Sequence, residues 1–376
     1  MIHIVTRGES VYQIARYYGI SQNQVISDNG LVYPYQLTPG QALFLDVNVS
    51  KEGRPLFVNG YAYPFINRDV LDTAIPALTS LTIFGYGFTT DGRLIEPEDE
   101  ALLQIAKENG LVPVFLFSSL SEDGNFSSDN ASYLFENSWL QKQILDQILA
   151  VMLKKGYRGL DIDFEFIKAE DKEGFIQFIE MAVELLHPHQ LFVHVDLAPK
   201  TSSSQQGLLY EAHDYRRIGE AADTVLLMTY EWGYTYGPPM AVAPLDKVRQ
   251  VVEYAVTEID PKKIYMGIPN YGYDWKLPFV SGTSKAETIG NEQAVERAIL
   301  FGSEILYDER AVSPYYNYFD ENGIEHIVWF ENVVSIQGKL DLIREFQLKG
   351  AGYWNLMRPF TQNWRLLQSS FRIASS

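Results

Sequence analysis

The 376-residue sequence predicts an α/β fold: a (β/α)8 TIM barrel with a small α+β insertion after its seventh strand, preceded by a small βααβ domain. After residue 55, eight short apolar runs alternate with segments whose apolar residues recur at helical spacing. The first 47 residues have start and stop signals of their own and form a separate unit. The polar stretch 48–54 between the two predicts a linker, which leaves 55–376 for the barrel.

The N-terminal unit begins with a short strand at His3–Val5, followed by Ser10 as an N-cap and a helix that Gly19 ends. A second helix begins near Ser21, and PGQALFL closes the unit with another strand. This order resembles a LysM module, a small glycan-binding domain. The matching motifs are HIV at 3–5, GES at 8–10, IARYYG at 14–19, Asn29, and PGQ at 39–41. The resemblance implies binding to N-acetylglucosamine in peptidoglycan or chitin.

Eight apolar runs supply the predicted barrel strands, and a closed barrel accommodates eight strand and helix units better than a doubly wound sheet does. The runs lie at 56–64, 81–88, 111–119, 157–167, 191–199, 224–232, 264–275 and 350–356. About sixty residues separate the seventh run from a helix near Gly338. Their turn pairs and β-type alternation predict an insertion at about 276–337, on the rim beside the active-site face.

Composition excludes several classes of partner. A formal net charge of -18, with no run of Lys or Arg, argues against nucleic acid and anionic membranes. The absence of cysteine excludes disulfides and thiolate metal sites. The N-terminal MIHIVTRGES lacks the basic and apolar regions of an ordinary signal peptide, so another route of delivery is expected if the protein works outside the cytoplasm.

The fourth run contains GLDIDFEF at 159–166, in which Asp161, Asp163 and Glu165 occupy every second position. Successive side chains of a strand point to opposite faces, so the three carboxyl groups share one face. Parallel barrel strands are covered on both faces, and reactive groups of such barrels lie at the C-terminal strand ends, where Glu165 falls. Carboxyl groups about 6.5–7 Å apart in a partly dry site cannot all ionise without a large cost. We expect at least one to hold a proton near neutral pH, as a general acid must.

The same stretch, RGLDIDFE at 158–165, resembles the DGxDxDxE signature of family 18 glycoside hydrolases, the chitinase-like family. Further matches are MTYE at 228–231, GIPNYGYDW at 267–275 and GYW at 352–354, and the resemblance covers about 320 residues. Two positions depart from the family pattern. Arg158 replaces the first Asp at the start of the strand, and Glu231 stands where the family usually has Asp, which is one methylene shorter.

Carried over residue by residue, the resemblance implies that Glu165 protonates the glycosidic oxygen and later activates water. Asp163 would bind the N-acetyl group of the substrate, and Asp161 would tune the charge and orientation of Asp163. Tyr230 would steady the acetamido oxygen, and Trp354 would form the floor under the distorted sugar. Further substrate contacts are expected from Glu231, Tyr271, Asn270 and Met228.

The resemblance also implies a reaction without a protein nucleophile. The acetamido oxygen of the substrate attacks C1 and gives an oxazolinium intermediate with overall retention. No cofactor and no metal are expected. His194 and His213 lack metal-ligand neighbours at a useful spacing in the sequence, and both are predicted to be structural.

A LysM module followed by a family 18 barrel resembles the spore-associated N-acetylglucosaminidases of endospore-forming bacteria, which attack cortex peptidoglycan or its fragments. This order implies a spore-associated protein, or otherwise a cell-wall one, that binds a polymer of N-acetylglucosamine and needs no obligate partner chain. Two alternatives stay open: a chitinase or endo-β-N-acetylglucosaminidase, and a non-catalytic lectin. The retention of Glu165, Asp163 and Tyr230 argues against the lectin.

Overall fold

The computed structural model describes residues 1–47, 51, 53–121 and 125–375. Its strands are β1 (Ile2–Ile4), β2 (Ala42–Phe44), β3 (Phe57–Ala62), β4 (Ser80–Phe88), β5 (Leu94–Ile95), β6 (Val112–Ser118), β7 (Gly159–Asp163), β8 (Phe192–Leu197), β9 (Thr224–Leu227), β10 (Ile264–Pro269), β11 (Gly272–Lys276), β12 (Glu287–Ile289), β13 (Leu306–Asp308), β14 (Ser313–Phe319), β15 (Glu325–Trp329) and β16 (Gly350–Trp354).

The α-helices connect and cover these strands. They are α1 (Val11–Tyr18), α2 (Gln22–Asp28), α3 (Arg68–Ala74), α4 (Glu100–Glu108), α5 (Ser128–Glu136), α6 (Ser138–Lys155), α7 (Lys172–Leu186), α8 (Tyr215–Ala221), α9 (Leu245–Glu258), α10 (Asn291–Leu300), α11 (Val333–Glu345) and α12 (Thr361–Ser370). None of the helices in the described parts of the chain has the length and apolar character needed to cross a membrane.

Eight parallel strands close into the predicted barrel. Their order around it is β3, β4, β6, β7, β8, β9, β10 and β16, and β16 pairs back onto β3. Each lies within one of the eight predicted apolar runs or begins one residue before it. A large apolar core lies between the barrel and its helices, and a smaller cluster that includes Tyr61, Leu116 and Leu226 belongs to strands of the barrel. The fold class predicted from the sequence is confirmed.

The seventh predicted strand was wrong in its extent. The run 264–275 divides into β10, which ends at Pro269, and β11, which begins at Gly272 and belongs to a different sheet. That sheet has five antiparallel strands in the order β12, β11, β15, β14, β13, and it forms the insertion together with α10. A Cβ at Gly272 would lie 2.4 Å from the carbonyl oxygen of Trp329, so the glycine allows β11 to approach β15.

The N-terminal unit has the predicted βααβ order. Ser10 caps α1, Gly19 ends it with φ at 68°, and Ser21 caps α2. The first strand begins one residue earlier than predicted, at Ile2. Of the predicted linker 48–54, residues 48–50 and 52 lie outside the described residues, and the domain limits 1–47 and 55–376 stay predictions.

Candidate active site

The acidic stripe lies where β7 ends. Asp161 and Asp163 are the third and last residues of the strand, and Glu165 follows two residues beyond it. Asp161 is fully buried and Asp163 is 8% exposed, whereas Glu165 is half-buried. The three carboxyl groups thus run from the barrel interior to its mouth.

A cleft of about 390 Å³ opens above Asp163 and Glu165. It lies at the C-terminal end of the barrel strands, where barrel enzymes carry their sites. Half of its lining residues are aromatic, and the full lining consists of Tyr63, Phe84, Phe126, Asp163, Glu165, Asp196, Pro199, Leu209, Tyr210, Met228, Tyr230, Glu231, Trp232 and Trp354. Four predicted substrate or catalytic residues from other strands, Met228, Tyr230, Glu231 and Trp354, therefore meet the acidic stripe here.

The acids of the cleft resist ionisation. Burial, followed by the charge of Glu231, raises the pKa of Glu165. Burial and the charge of Asp196 raise the pKa of Asp163 well above its ordinary value, with Glu165 and Asp161 adding to the effect. Burial raises the pKa of Asp161 to about 8. The site therefore holds protons near neutral pH, which is the condition for a carboxyl group to act as an acid.

Tyr230 and Glu231 follow the end of β9 and face the cleft. Burial raises the pKa of Tyr230 well above the usual range, so its hydroxyl stays a hydrogen-bond donor. The hydroxyls of Tyr271 and Tyr273 donate to Oε1 of Glu231 at 2.5 and 2.9 Å. Tyr271 is buried and does not line the cleft, so it reaches the site through its hydrogen bond to Glu231.

Trp354 ends β16 and borders the cleft with other aromatic side chains. Its ring centroid lies 5.5 Å from that of Phe84, 5.8 Å from that of Tyr61 and 6.1 Å from that of Tyr63. Asn270, unlike Trp354, does not line the cleft. It is buried, and its side-chain amide donates to the carbonyl oxygens of Asn355 and Arg358, both at 2.9 Å. The structure places Asn270 as a support for the loop after Trp354, beside the cleft wall.

Residues 114–358 match the family model for glycosyl hydrolases family 18, and residues 3–46 match that for the LysM domain. The chain belongs to glycosyl hydrolase family 18. It is 35% identical to the cortical fragment-lytic enzyme of Bacillus anthracis over 99% of both chains, and 40% identical to that of Bacillus subtilis over 80% of this chain and 69% of the other. The crystal structure of the spore cortex-lytic enzyme SleL of Bacillus megaterium QM B1551 is similar with a TM-score of 0.93 and 34% identity, covering 100% of this chain and 99% of that one.

This family 18 chain is a glycoside hydrolase, as the sequence predicts. Sequence reasoning missed one acid of its cleft, Asp196, and treated His194 as merely structural. Both lie on β8, at alternate positions of FVHVDL, and Asp161 on β7 is in register with His194. His194 and Asp196 show the same alternation, with a period of two, that marks the acidic residues of the fourth strand. One Asp and one His are a less distinctive pattern than three acids, so sequence reasoning did not select them.

Proposed function

We propose that this family 18 enzyme is an N-acetylglucosaminidase that cleaves spore-cortex peptidoglycan, or fragments of it, after N-acetylglucosamine. The observation that carries the proposal is the placement of half-buried Glu165 at the mouth of the barrel, two residues beyond buried Asp163, with both side chains lining the cleft. Support for the substrate comes from the relatives named for cortex lysis, which match along nearly the whole chain.

Glu165 is the proposed general acid and base. Burial and the charge of Glu231 keep a proton on it at a pH where an ordinary glutamic acid is ionised. In the first step this proton passes to the glycosidic oxygen as the bond to C1 breaks. In the second step the Glu165 carboxylate removes a proton from water as the water oxygen attacks C1. This proton transfer restores the carboxylic acid of Glu165.

The acetamido group of the substrate is the proposed nucleophile. Its oxygen attacks C1 from the face opposite the leaving group, so that the oxazolinium intermediate and its hydrolysis together retain configuration. Asp163 would accept the acetamido N–H and stabilise the developing positive charge, while Tyr230 would donate to the acetamido oxygen. Trp354 would form the floor beneath the sugar, with Met228 and Glu231 on the walls.

The LysM domain would supply a second contact with the same polymer. A glycan-binding domain in the same chain raises the concentration of catalytic sites along an insoluble strand, even when its own affinity is low. We propose that the protein acts in association with the spore, bound to peptidoglycan as its partner.

Product analysis tests the proposal. Spore-cortex peptidoglycan and chitin are digested in parallel with the native protein, with Glu165→Gln, and with Glu108→Gln, an exposed carboxylate on α4 as the matched control. Soluble products are identified by mass spectrometry. We expect fragments ending in reducing N-acetylglucosamine from peptidoglycan with the native and Glu108→Gln proteins, and a loss of rate of about 10²–10⁴-fold with Glu165→Gln.

The alternatives give different results. Products from chitin alone would reassign the enzyme as a chitinase, and long internal fragments from the start of the digestion would indicate endo cleavage. Binding to both polymers without any product from the native protein would make the barrel a lectin. Full activity of Glu165→Gln would remove Glu165 from the mechanism.

A further inference from the structure

Below and beside Asp163, the barrel interior holds a set of buried polar side chains, here called the deep cluster: Asp161 and His194 lie deeper, and Asp196 reaches the cleft. Asp161 is in register with His194, and Asp196 lies two residues further along the same face of β8. One side-chain nitrogen or oxygen atom from each residue lies within 4.8 Å of the corresponding atoms of the other two residues. The exposed fractions of the three residues are 0%, 4% and 3%. Water is therefore nearly excluded from the cluster.

Only some of the polar atoms in the deep cluster have hydrogen-bond partners among the described residues. The hydroxyl of Tyr61 donates to Oδ1 of Asp196 at 2.9 Å, and Nδ1 of His194 lies 2.7 Å from Oγ1 of Thr224. With both carboxyl groups ionised, neither oxygen of Asp161 has a hydrogen-bond partner among the described residues. Two carboxylates cannot hydrogen-bond to each other, so a hydrogen bond between Asp161 and Asp196 would need a proton on one of them. Buried carboxyl groups need such a partner.

We propose that Asp196 is a positioning residue for the reaction: with Asp161 it holds one shared proton next to Asp163, and this pair decides whether Asp163 is ionised when substrate binds. Among neighbouring charges, that of Asp196 acts most strongly against ionisation of Asp163. Sharing a proton limits the pair to one negative charge, which leaves Asp163 free to ionise and accept the acetamido N–H. The role assigned to Asp163 rests on the proposed function, whereas the shared proton does not.

The surroundings of the pair favour a proton over a second negative charge. Burial raises the pKa of Asp161 and of Asp196 to about 8 in each case. Burial lowers the pKa of His194 and the charge of Lys349 acts in the same direction, whereas the charge of Asp161 acts against both. Nε2 of His194 lies 3.5 Å from Oδ1 of Asp196, so the imidazole borders the pair. Among the residues that the structure describes, the other titratable groups near the pair are Tyr61, Asp163, Glu165, Tyr230 and Tyr265, the last of which packs against His194.

Stability measured against pH tests the shared proton without reference to activity. A carboxyl group with a raised pKa binds its proton more tightly in the folded state, so the stability it contributes is present below the unfolded pKa of about 4 and is lost as pH rises through about 8. We expect the urea midpoint of the native protein to fall from pH 5 to pH 8 more steeply than that of Asp196→Asn. Asp72→Asn, which removes an exposed carboxylate paired with Arg68, should run parallel to the native protein.

Kinetics test the positioning role. The amide of Asp196→Asn supplies a permanent N–H to Asp161, so we expect kcat of this variant to fall less than that of Asp196→Leu. Asp196→Leu can neither donate nor hold a proton, and we expect its kcat on soluble glycan fragments to fall by about tenfold to a hundredfold with KM little changed. Urea midpoints of both variants show whether a loss reflects unfolding.

Several results would overturn the inference. Parallel pH dependence of stability in the native and Asp196→Asn proteins would mean that Asp196 holds no proton. Native kcat in Asp196→Leu, or equal loss in both variants, would remove the positioning role. A stoichiometric metal ion in the purified protein, found by elemental analysis, would make the deep cluster a cation site instead. The native protein could release no product while its urea midpoint still falls more steeply with pH than that of Asp196→Asn. In that case the proposed function would be wrong, and the shared proton between Asp161 and Asp196 would still be supported.

Discussion

Glu231 shows how a single residue is held in place at the mouth of the cleft. Its φ is 67°, a conformation that costs a non-glycine residue about 1–3 kcal/mol unless its surroundings impose it. The hydroxyls of Tyr271 and Tyr273, at the start of the insertion, both donate to its carboxylate. Burial raises the pKa of Glu231, and the two hydrogen bonds act against that rise. The insertion thereby holds Glu231 where its charge raises the pKa of Glu165.

Replacing Glu231 with glutamine should lower the pKa of Glu165, because it removes the neighbouring charge that disfavours ionisation. The acid then loses its proton at a lower pH, so we expect the alkaline limb of kcat/KM to move to lower pH. The measurement is the pH profile on soluble glycan fragments, with Glu184→Gln on the exposed face of α7 as the control. An alkaline limb that does not move, or that moves to higher pH, would mean that the charge of Glu231 does not raise the pKa of Glu165.

At the scale of the secondary-structure elements, a buried ion pair joins the end of the insertion to a barrel helix. Nζ of Lys339 on α11 lies 2.8 Å from Oε2 of Glu331, and the two side chains are 0% and 1% exposed. Glu331 follows β15, and its backbone N–H donates to Oδ1 of Asn291 at the start of α10. The pair therefore links the antiparallel sheet of the insertion, its helix and the barrel.

Removing one member of this pair should be more damaging than removing both. Lys339→Met leaves a buried carboxylate without its partner, and we expect a loss of about 3–5 kcal/mol in the free energy of unfolding. The double variant Lys339→Met with Glu331→Leu should recover most of the loss, because no buried charge remains. Urea denaturation of the two variants checks this, and a double variant less stable than Lys339→Met would contradict it.

At the scale of the whole molecule, the LysM domain is docked on the barrel and its insertion. The hydroxyl of Thr38 donates to the carbonyl of Ser303 at 2.6 Å, and the N–H of Ile305 donates to the carbonyl of Pro39 at 2.9 Å. On α12, the amide of Gln362 donates to Ala42 at 2.8 Å. Tight docking of this kind gives the glycan-binding domain a set position relative to the cleft, where a free tether would give it a range.

Gly40 is the position that permits the docking. Its φ is 81°, and a Cβ there would lie 1.8 Å from the carbonyl oxygen of Ile305. We expect Gly40→Ala to displace the LysM domain, lowering hydrolysis of insoluble peptidoglycan while sparing kcat/KM on short soluble fragments. Gly19→Ala is the control, because Gly19 has φ at 68° with no neighbouring atom within 4 Å of its Cβ position and so tests backbone strain alone. Equal rates of hydrolysis of insoluble peptidoglycan by the two variants would show that the docked position of the LysM domain does not affect this activity.

Local patterns were enough to predict much of this molecule. The strand period of two placed Asp161, Asp163 and Glu165 on one face, and the caps Ser10, Gly19 and Ser21 set the helix ends of the LysM domain. Both are properties of neighbouring residues, which the sequence displays directly. The eight barrel strands were likewise predictable, because each buried run is short, apolar and bounded by turn residues.

Tertiary contacts decided the rest. The run 264–275 reads as one strand, and only pairing with β15 moves β11 into another sheet. Asp196 joins Asp161 because two distant segments become neighbouring strands, and the side-chain amide of Asn270 donates to two carbonyl groups of the loop after Trp354. Partners far apart in the chain determine these outcomes, since a residue's own pattern gives its face and period but not what will lie opposite it.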